Sequence, residues 1–426
     1  MNAYQTKQHI LSGALDEKFT YIYGAAALDF QKTRYIEAID RYFEIYGDGE
    51  ISLFSVAGRS ELSGNHTDHN YGCVVAASID LDIIAVATKR DDGVIRVTSE
   101  GFSENIVDTA VYTSPIEAKF GTSESIVAGM CAGFKKNGYS IGGFDAYMTS
   151  NVLKGSGLSS SAAFEDMIGN VLNFMYNDGN IDNVEIAKLA QYAENVFFGK
   201  PCGLMDQVAC AVGGIVAIDF KDPTAPVIEK IDFDMSAHGY NLCIVNTGGN
   251  HADLTDDYAA VPAEMKAVAA KLGKTVLREI DKDRLISAIP SLRESVGDRA
   301  ILRAMHFLCE NERVAKQKAA LLEGDLDKYF NNVIASGRSS FCYLQNVYTT
   351  KNVKEQGISL ALSLAEGLLS DKRAAWRVHG GGFAGTIQSY VPSDFVDEFR
   401  SAMDAVFGEG SCIALRIRPV GATKVL

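Results

Sequence analysis

The sequence predicts an α+β protein of about two domains, and three observations support this prediction. The chain has 426 residues, of which 47% are hydrophobic and 22% charged, so it can bury a large core. Strand-like and helical segments follow one another irregularly, which favours α+β over a regular parallel βαβ fold. Neither a repeat nor a proline-rich linker is visible. We therefore place the two domains, residues 1–225 and 226–426, from the pattern of elements alone.

Runs of β-branched and apolar residues predict the strands, and apolar residues at helical spacing predict the helices. The predicted strands cover residues 51–56, 74–88, 94–98, 144–149, 214–220 and 242–245. The predicted helices cover residues 124–136, 160–176, 183–198, 253–272, 300–322 and 354–369. The end of the chain predicts, in order, a strand (374–378), a glycine turn, a strand (386–390), a helix (393–407) and a strand (412–418).

Charge and cysteine usage limit the classes of partner. The net charge of −14 gives no broad positive field, so we expect neither nucleic acid nor a membrane surface as a partner. The eight cysteines contain no C-x-x-C pair and are typical of reduced thiols in a cytoplasmic protein. The first residues lack the pattern of a signal peptide, and no apolar run is long enough for a membrane span. The oligomeric state stays open, and a monomer is compatible with the sequence.

One glycine- and serine-rich segment is suited to binding phosphate. Residues 152–163, Val-Leu-Lys-Gly-Ser-Gly-Leu-Ser-Ser-Ser-Ala-Ala, leave a predicted strand and enter a predicted helix. Glycines allow close backbone approach, and a helix N-terminus offers free N–H groups to an anion. The segment is neither a Walker A loop nor a dinucleotide-binding G-x-G-x-x-G motif. The alternative is that the three serines only cap the helix.

A polar loop follows the first predicted strand. Residues 58–70 read Gly-Arg-Ser-Glu-Leu-Ser-Gly-Asn-His-Thr-Asp-His-Asn, which places a cation, imidazoles, carboxylates and amides between glycines. Such a set suits a polyhydroxylated ligand, although a polar turn with Asx caps is the simpler interpretation. His66 and His69 have the spacing of a metal pair, but no third ligand has suitable spacing, so we do not expect zinc.

Two other segments carry possible site residues. Residues 199–207, Gly-Lys-Pro-Cys-Gly-Leu-Met-Asp-Gln, form a proline–glycine turn before an apolar helix predicted to begin near Asp206. A carboxylate there is often only a helix cap, but phosphoryl-transfer sites need one beside the accepting hydroxyl. The segment 379–386, His-Gly-Gly-Gly-Phe-Ala-Gly-Thr, is a flexible hairpin turn or part of a ligand site. No one segment decides between these interpretations.

Together and in this order, the segments resemble the GHMP kinases, and the galactokinases in particular. Residues 58–70 are similar to the galactokinase signature G-R-x-x-L-x-G-E-H-T-D-Y-N, and residues 155–163 to the phosphate loop G-x-G-L-S-S-S-A. Residues 199–207 are similar to G-x-P-C-G-x-M-D-Q, and the glycines of 380–385 stand where the family has its third motif. Asn246, His251 and Tyr258 also have the family's spacing. The likeness covers roughly residues 40–420.

The resemblance implies a fold and a reaction. The implied fold places an N-terminal domain like ribosomal protein S5 domain 2 beside a ferredoxin-like C-terminal domain, with the site in the cleft between them. The implied reaction is ATP-dependent phosphorylation of the anomeric hydroxyl of galactose, with ATP and Mg²⁺ as cofactors and a small sugar as partner. Asp206 would act as base or orienting carboxylate, and Arg59 would face the transferring phosphoryl group.

The resemblance also assigns binding residues one by one. The implied phosphate-binding residues are Gly155, Ser156, Gly157, Leu158, Ser159, Ser160 and Ser161. The implied Mg²⁺ ligands are Ser161 and Glu194. The implied sugar-binding residues are Asn65, His66, Asp68, Gly203 and Tyr258.

The sequence departs from the family's pattern in and near the sugar-binding loop. Asn65 stands where galactokinases have Glu, His69 replaces Tyr, Ser60-Glu61 replaces Val-Asn, and the segment 341–350 also differs. The Asn65 carbonyl retains the ability to accept a hydrogen bond from a sugar hydroxyl. Without the charge of a Glu at this position, a sugar carboxylate is not repelled by it. Galacturonate and N-acetylgalactosamine remain alternative substrates. A catalytically silent galactose sensor is a third alternative, and the complete phosphate loop speaks against it.

Overall fold

The computed structural model describes residues 1–152, 157–249 and 254–426. Gly155, Ser156 and His251, which the resemblance singles out, lie outside the described residues. Helices and two sheets confirm the predicted α+β class. Within the described ranges, no helix combines the length and apolar character needed to cross a membrane.

The first sheet contains β1, the strand that carries Arg59. Its first seven strands are β1 (Ser52–Ser63), β2 (Cys73–Arg90), β3 (Val94–Ser99), β4 (Asn105–Asp108), β5 (Gly143–Ser150), β6 (Ile215–Asp219) and β7 (Val227–Ile231). The long strand β2 pairs with β1 along one edge, and with β5 and β6 at different points of the other. The β1–β2 register shifts between Ala57 and Arg59 and again between Glu61 and Ser63. Such irregularities re-aim side chains, and they occur where β1 carries predicted site residues.

The second sheet has four antiparallel strands. They are β8 (Tyr240–Asn246), β9 (Ala375–His379), β10 (Thr386–Pro392) and β11 (Cys412–Leu415), in the spatial order β11-β8-β10-β9. Helices connect β8 to β9 and β10 to β11, so this half has the β-α-β-β-α-β order of a ferredoxin-like fold. The chain then returns to the first sheet, where β12 (Thr423–Lys424) pairs with β1.

Thirteen α-helices lie in the described ranges. They are α1 (Ala3–Leu11), α2 (Asp16–Tyr23), α3 (Leu28–Tyr46), α4 (Ser123–Lys136), α5 (Ser160–Tyr176), α6 (Asn183–Tyr192), α7 (Met205–Val212), α8 (Thr255–Lys271), α9 (Lys282–Ser295), α10 (Asp298–Glu323), α11 (Leu326–Ser339), α12 (Gly357–Leu369) and α13 (Val396–Phe407). Helix α6 continues as a π-helical turn at Ala193–Phe198, and α11 as one at Ser340–Leu344. Such turns are frequent at functional sites, and these two contain Glu194 and Ser340.

Most predicted elements are confirmed, and the exceptions are concentrated at the N-terminus. Sequence patterns predicted no element before residue 51, whereas α1, α2 and α3 occupy most of that region. Helices α9 and α11 and the short strands β4 and β7 were also not predicted. The predicted domain division at residue 225 falls between β6 and β7, which are neighbours in the first sheet. That division stays a prediction.

One hydrophobic core extends from the first sheet to the second. Val75 and Ala76 of β2 and Leu242 of β8 belong to the same buried cluster, together with Tyr329 of α11 and Tyr390 of β10. Because core packing is dense, it holds the two sheets in a fixed relation. Residues that lie where the two sheets meet are therefore held in fixed positions relative to each other.

A buried charge cluster fastens the N-terminal helices and the C-terminal segment to the first sheet. The Asp82 carboxylate on β2 accepts hydrogen bonds from Arg34 of α3, from the Tyr23 hydroxyl at 2.6 Å and from Arg418 at 3.0 Å. The Ser55 hydroxyl of β1 donates to it as well. Burial by itself would raise the pKa of Asp82, but Arg34 and Arg418 hold it below its ordinary value.

Removing this carboxylate in Asp82→Ala leaves two buried guanidinium groups without their partner. We expect the free energy of unfolding to fall by about 3–5 kcal/mol, as measured by urea unfolding. Asp40→Ala is the control, because Asp40 pairs with Lys7 near the surface, and it should change stability by no more than about 1 kcal/mol. A loss in Asp82→Ala as small as that of the control would contradict the role of this cluster.

Candidate active site

Arg59 and Asp206, predicted as the catalytic residues, form a bidentate ion pair. Arg59 Nε lies 2.8 Å from Asp206 Oδ1, and Arg59 Nη2 lies 2.8 Å from Asp206 Oδ2. The fold brings them together from the irregular part of β1 and the first turn of α7, although 147 residues separate them in the chain. Arg59 is only 8% exposed, and its Nη1 donates to the carbonyl of Gly157. The pair thus joins the polar loop to the phosphate loop.

Ser159 of the predicted phosphate loop is bonded to the same carboxylate. Its hydroxyl lies 2.6 Å from Asp206 Oδ2. Its backbone has φ +58°, a left-handed conformation that costs a residue other than glycine about 1–3 kcal/mol. Such strain persists only where its surroundings enforce it, and here it places the hydroxyl on Asp206. The structure therefore gives Ser159 a bond to the catalytic carboxylate beside its predicted role at phosphate.

The electrostatics of Asp206 favour the ionised carboxylate. Burial would raise its pKa, but the charge and hydrogen bonds of Arg59 and the Ser159 hydroxyl lower it below its ordinary value. Asp206 is thus charged at neutral pH. A carboxylate of low pKa is a weak base but a strong hydrogen-bond acceptor, so it is better suited to orient a hydroxyl than to remove its proton early.

A cavity of about 630 Å³ lies beside the start of α5. Ser160 and Ser161, at the start of α5, line it, and the end of β5 and helix α4 contribute further walls. Its size suits a ligand as large as a nucleotide. Gly157 and Leu158 precede the helix, whose first N–H groups are available to an anion.

Oxygen ligands for a cation lie in the same cavity. Glu194 and Glu165 both line it with Ser161, and the two carboxylates share one donor, the Gln207 Nε2 group, at 2.9 and 3.0 Å. Burial and the charge of Glu194 raise the pKa of Glu165 well above its ordinary value. Lys200 Nζ lies 3.0 Å from Glu194 Oε1.

These donors fit Mg²⁺, which prefers oxygen ligands and keeps several positions for phosphate and water. Among the described residues, no group of three or more His, Cys, Asp or Glu side chains is placed to hold a metal alone. Glu165 was not singled out in the sequence, although it follows Ser161 by four residues and so lies on the same face of α5.

Three of the predicted sugar-binding residues are bonded to the glycine-rich loop, which we define as residues 380–382. Asn65 Nδ2 donates to the Gly380 carbonyl at 2.6 Å. His66 Nε2 lies 2.9 Å from the Gly381 carbonyl, and the Tyr258 hydroxyl lies 2.8 Å from the Gly382 carbonyl. Burial lowers the pKa of His66 to about 4, so its ring is neutral at neutral pH and Nε2–H is the donor.

The side chain of Asn65 lies inside the protein in this structure. It is fully buried, and its Oδ1 accepts hydrogen bonds from Asn346 Nδ2 at 2.8 Å and from the Ser340 hydroxyl at 3.2 Å. The expected contact between Asn65 and a sugar stays a prediction, although in this structure the amide is buried and already bonded within the protein.

Asp68 and Gly203 lie against each other, as the predicted sugar site requires. A Cβ atom at position 203 would lie 2.9 Å from Asp68 Oδ2, so any other residue would displace this carboxylate from its present position. The Asp68 side chain stays partly exposed. Because Gly203 is three residues before Asp206, this contact places the Asp68 carboxylate near the catalytic pair.

A buried polar seam joins β1 to the second sheet, and sequence patterns gave no sign of its pairings. Glu61 forms an ion pair with Arg377 of β9, and its backbone carbonyl accepts from Gln388 Nε2 at 2.9 Å. The Ser60 hydroxyl lies 3.0 Å from His379 Nε2. The Ser60-Glu61 departure thus has a structural basis, since both side chains face the second sheet.

Two family models match the chain. "GHMP kinases N terminal domain" matches residues 125–214, which include α5 and α7. "Galactokinase galactose-binding signature" matches residues 40–89, which include β1 and the polar loop. The first match contains Asp206 and the second contains Arg59.

Known proteins are similar over most of the chain. A galactokinase of Streptomyces coelicolor is 30% identical over 384 residues, covering 89% of this chain and 94% of that protein. A galactokinase of Ligilactobacillus salivarius is 30% identical over 397 residues, covering 91% and 98%. The crystal structure of Lactococcus lactis galactokinase complexed with galactose superposes with a TM-score of 0.75 at 26% identity, covering 90% and 98%. Mevalonate kinase of Methanococcus jannaschii shares the fold, with a TM-score of 0.60 at 14% identity.

The ion pair makes a prediction about proton affinity. In Arg59→Gln we expect the pKa of Asp206 to rise above its value in the unaltered protein, because burial then acts with less opposition. The stabilisation from the native pair is present above the unfolded carboxyl's pKa and is lost as pH falls through the lower folded value. Carbon NMR titration of labelled aspartate carboxyls measures the shift. Arg278→Gln, which removes the partner of Asp219, is the control and should leave Asp206 unchanged. An unshifted pKa in Arg59→Gln would show that the pair does not set the charge of Asp206.

Proposed function

The chain belongs to the galactokinase family of GHMP kinases, and from this premise we propose that it transfers the terminal phosphoryl group of ATP to the anomeric hydroxyl of galactose. The products are galactose 1-phosphate and ADP. The observation that carries the proposal is the Arg59–Asp206 pair, in which Arg59 of the polar loop also bonds the phosphate loop at Gly157.

ATP binds, in this proposal, in the cavity lined by Ser160 and Ser161, with its phosphates toward the start of α5. The free N–H groups there and the positive end of the helix dipole suit the phosphate charge. Ser161 and Glu194 are the residues that would hold Mg²⁺, which would neutralise part of the phosphate charge. Glu165 supports Glu194 through their shared Gln207 donor.

Asp206 and Arg59 act on the two sides of the bond that forms. The Asp206 carboxylate accepts a hydrogen bond from the anomeric hydroxyl and orients its oxygen toward the terminal phosphorus. As the new O–P bond forms, the bond to the bridging oxygen of ADP breaks, and the hydroxyl proton passes to Asp206 late in the step. Arg59 offers a permanent charge to the phosphoryl oxygens.

The sugar is held, in this proposal, by His66, Asp68, Gly203 and Tyr258. A kinase specific for galacturonate would place a cation beside the sugar carboxylate, and Arg59 is already paired with Asp206. Asp68 would also repel such a substrate, since two like charges about 4 Å apart cost roughly 1 kcal/mol in water and more at lower dielectric. Galactose is therefore the preferred substrate. The intact Arg59–Asp206 pair favours an enzyme over a silent galactose sensor.

Two further expectations belong to this proposal. The two halves of the kinase correspond, in this proposal, to residues 1–225 and 226–426, except that β7 and β12 of the second range pair within the first sheet. A cytoplasmic location is supported by eight cysteines that are all free thiols.

The experiment that tests the function measures ADP release from Mg-ATP with galactose, galacturonate and N-acetylgalactosamine in turn. We expect the highest kcat/KM for galactose and at most weak activity on galacturonate. A much higher kcat/KM for another sugar would overturn the substrate and leave the kinase. No sugar-dependent ADP release with any of them would favour the sensor.

The catalytic pair should matter for turnover more than for nucleotide binding. Asp206→Ala and Arg59→Ala should each lower kcat by on the order of 10²-fold or more, because both groups act on the reacting atoms. ATP affinity, measured by calorimetry, should be largely retained. Arg278→Ala is a matched control that breaks an ion pair with Asp219, and its kcat should stay near normal. Near-normal turnover in either site variant would remove that residue from the mechanism.

The metal site should respond to loss of one carboxylate charge. Glu194→Gln should raise the Mg²⁺ concentration needed for half-maximal activity, because an amide is a weaker ligand for a hard cation. Titration of Mg²⁺ at saturating ATP and galactose measures this concentration. Glu185→Gln on α6, which only weakens a surface pair with Lys188, is the control. An unchanged Mg²⁺ requirement would exclude Glu194 as a ligand.

A further inference from the structure

Asn65 is a node of hydrogen bonds between the two halves of the molecule. Its Nδ2 group donates to the Gly380 carbonyl at 2.6 Å and lies 3.4 Å from Glu61 Oε1. Its Oδ1 accepts from Asn346 at 2.8 Å and from Ser340 at 3.2 Å. Its backbone carbonyl accepts from His306 Nε2 at 3.0 Å. Every polar atom of the side chain therefore has partners inside the protein.

Asn346 is the second member of this arrangement. It is fully buried, and its Nδ2 group donates both to Asn65 Oδ1 and to the Gly381 carbonyl at 3.1 Å. Its backbone carbonyl accepts from the N–H of Phe383. A Cβ at Gly382 would collide with the Asn346 backbone, so the glycine-rich loop lies directly on this residue. Two regions in which the sequence departs from the family, position 65 and residues 341–350, thus meet in space.

We propose that Asn65 and Asn346 are positioning residues that hold the glycine-rich loop in place, and that Asn65 does not contact the sugar. The proposal rests on the proposed function only for its sugar-dependent readouts. The loop, so held, presents the Gly381 and Gly382 carbonyls to His66 and Tyr258. Asn65 therefore acts on the sugar through the orientation of these two side chains.

The chemistry of the surroundings requires an amide at position 65. The Gly380 carbonyl needs a donor, whereas Asn346 Nδ2 and the Ser340 hydroxyl need an acceptor, and only an amide supplies both at once. A carboxylate would leave the Gly380 carbonyl without a donor and add a negative charge beside Glu61. The departure from Glu at this position is therefore matched to its partners here.

The test compares Asn65→Ala, Asn346→Ala and the double variant. We expect the KM for galactose to rise about tenfold or more in each single variant, with the KM for ATP within about twofold, because neither Asn65 nor Asn346 lines the cavity proposed for the nucleotide. The galactose KM of the double variant should be little higher than that of either single variant, since both substitutions remove the hydrogen bond between Asn65 and Asn346. Asn65→Asp should behave like Asn65→Ala, because it lacks the donor to Gly380.

A readout without turnover accompanies the kinetics. Hydrogen–deuterium exchange in the peptide that contains residues 377–387 should become faster in both single variants. Asn173→Ala is the matched control, because Asn173 is also buried and its amide both donates to and accepts from Ile181 at 3.0 Å. It should lower thermal stability while leaving this exchange and the galactose KM unchanged.

Several results would overturn the proposal. These are an unchanged galactose KM in Asn65→Ala, unchanged exchange at the loop, additive losses in the double variant, or failure of both single variants to fold. A wild-type protein that does not phosphorylate galactose would instead refute the proposed function. The exchange experiment would still decide whether Asn65 and Asn346 hold the loop.

Discussion

The bidentate pair between Arg59 and Asp206 is the interaction on which the rest of the site depends. It fastens β1 to the start of α7, and the third donor of Arg59 reaches the phosphate loop at Gly157. Ser159, strained into a left-handed conformation, completes the contact from the start of α5. Three segments that are distant in the sequence therefore converge on one carboxylate. The chemistry of phosphoryl transfer requires little more than such positioning and a favourable field.

Strand β1 carries this arrangement across the molecule. Arg59 pairs with Asp206, while Ser60 and Glu61 face the second sheet and Asn65, just after the strand, reaches the glycine-rich loop. The register shifts against β2 allow successive side chains to serve these different neighbours. Residues 59–65 thus connect the Arg59–Asp206 pair to the second sheet and to the glycine-rich loop.

Local features were predictable from the sequence. The start of α5 at Ser160, the helix that begins near Asp206 and most strands of both sheets follow from patterning and glycine placement. Helix α3 was missed because Gln31 and Arg34 lie on its buried face and interrupt its apolar stripe. The role of Asn65 was not predictable, because its partners Asn346 and Gly380 lie 281 and 315 residues away. The position of Glu165 in the site was not predictable for the same reason, since only the folded chain shows that it shares a donor with Glu194.

The central claim is that the carboxylate of Asp206 directs the anomeric hydroxyl of galactose at the terminal phosphorus of ATP. The most direct test is phosphorus and proton NMR of the product formed from galactose and Mg-ATP. We predict a single sugar phosphate whose phosphorus is coupled to the anomeric proton, and whose rate of formation falls by on the order of 10²-fold or more in Asp206→Ala. A phosphate on any other carbon of the sugar, or an unaltered rate of product formation in Asp206→Ala, would contradict this claim.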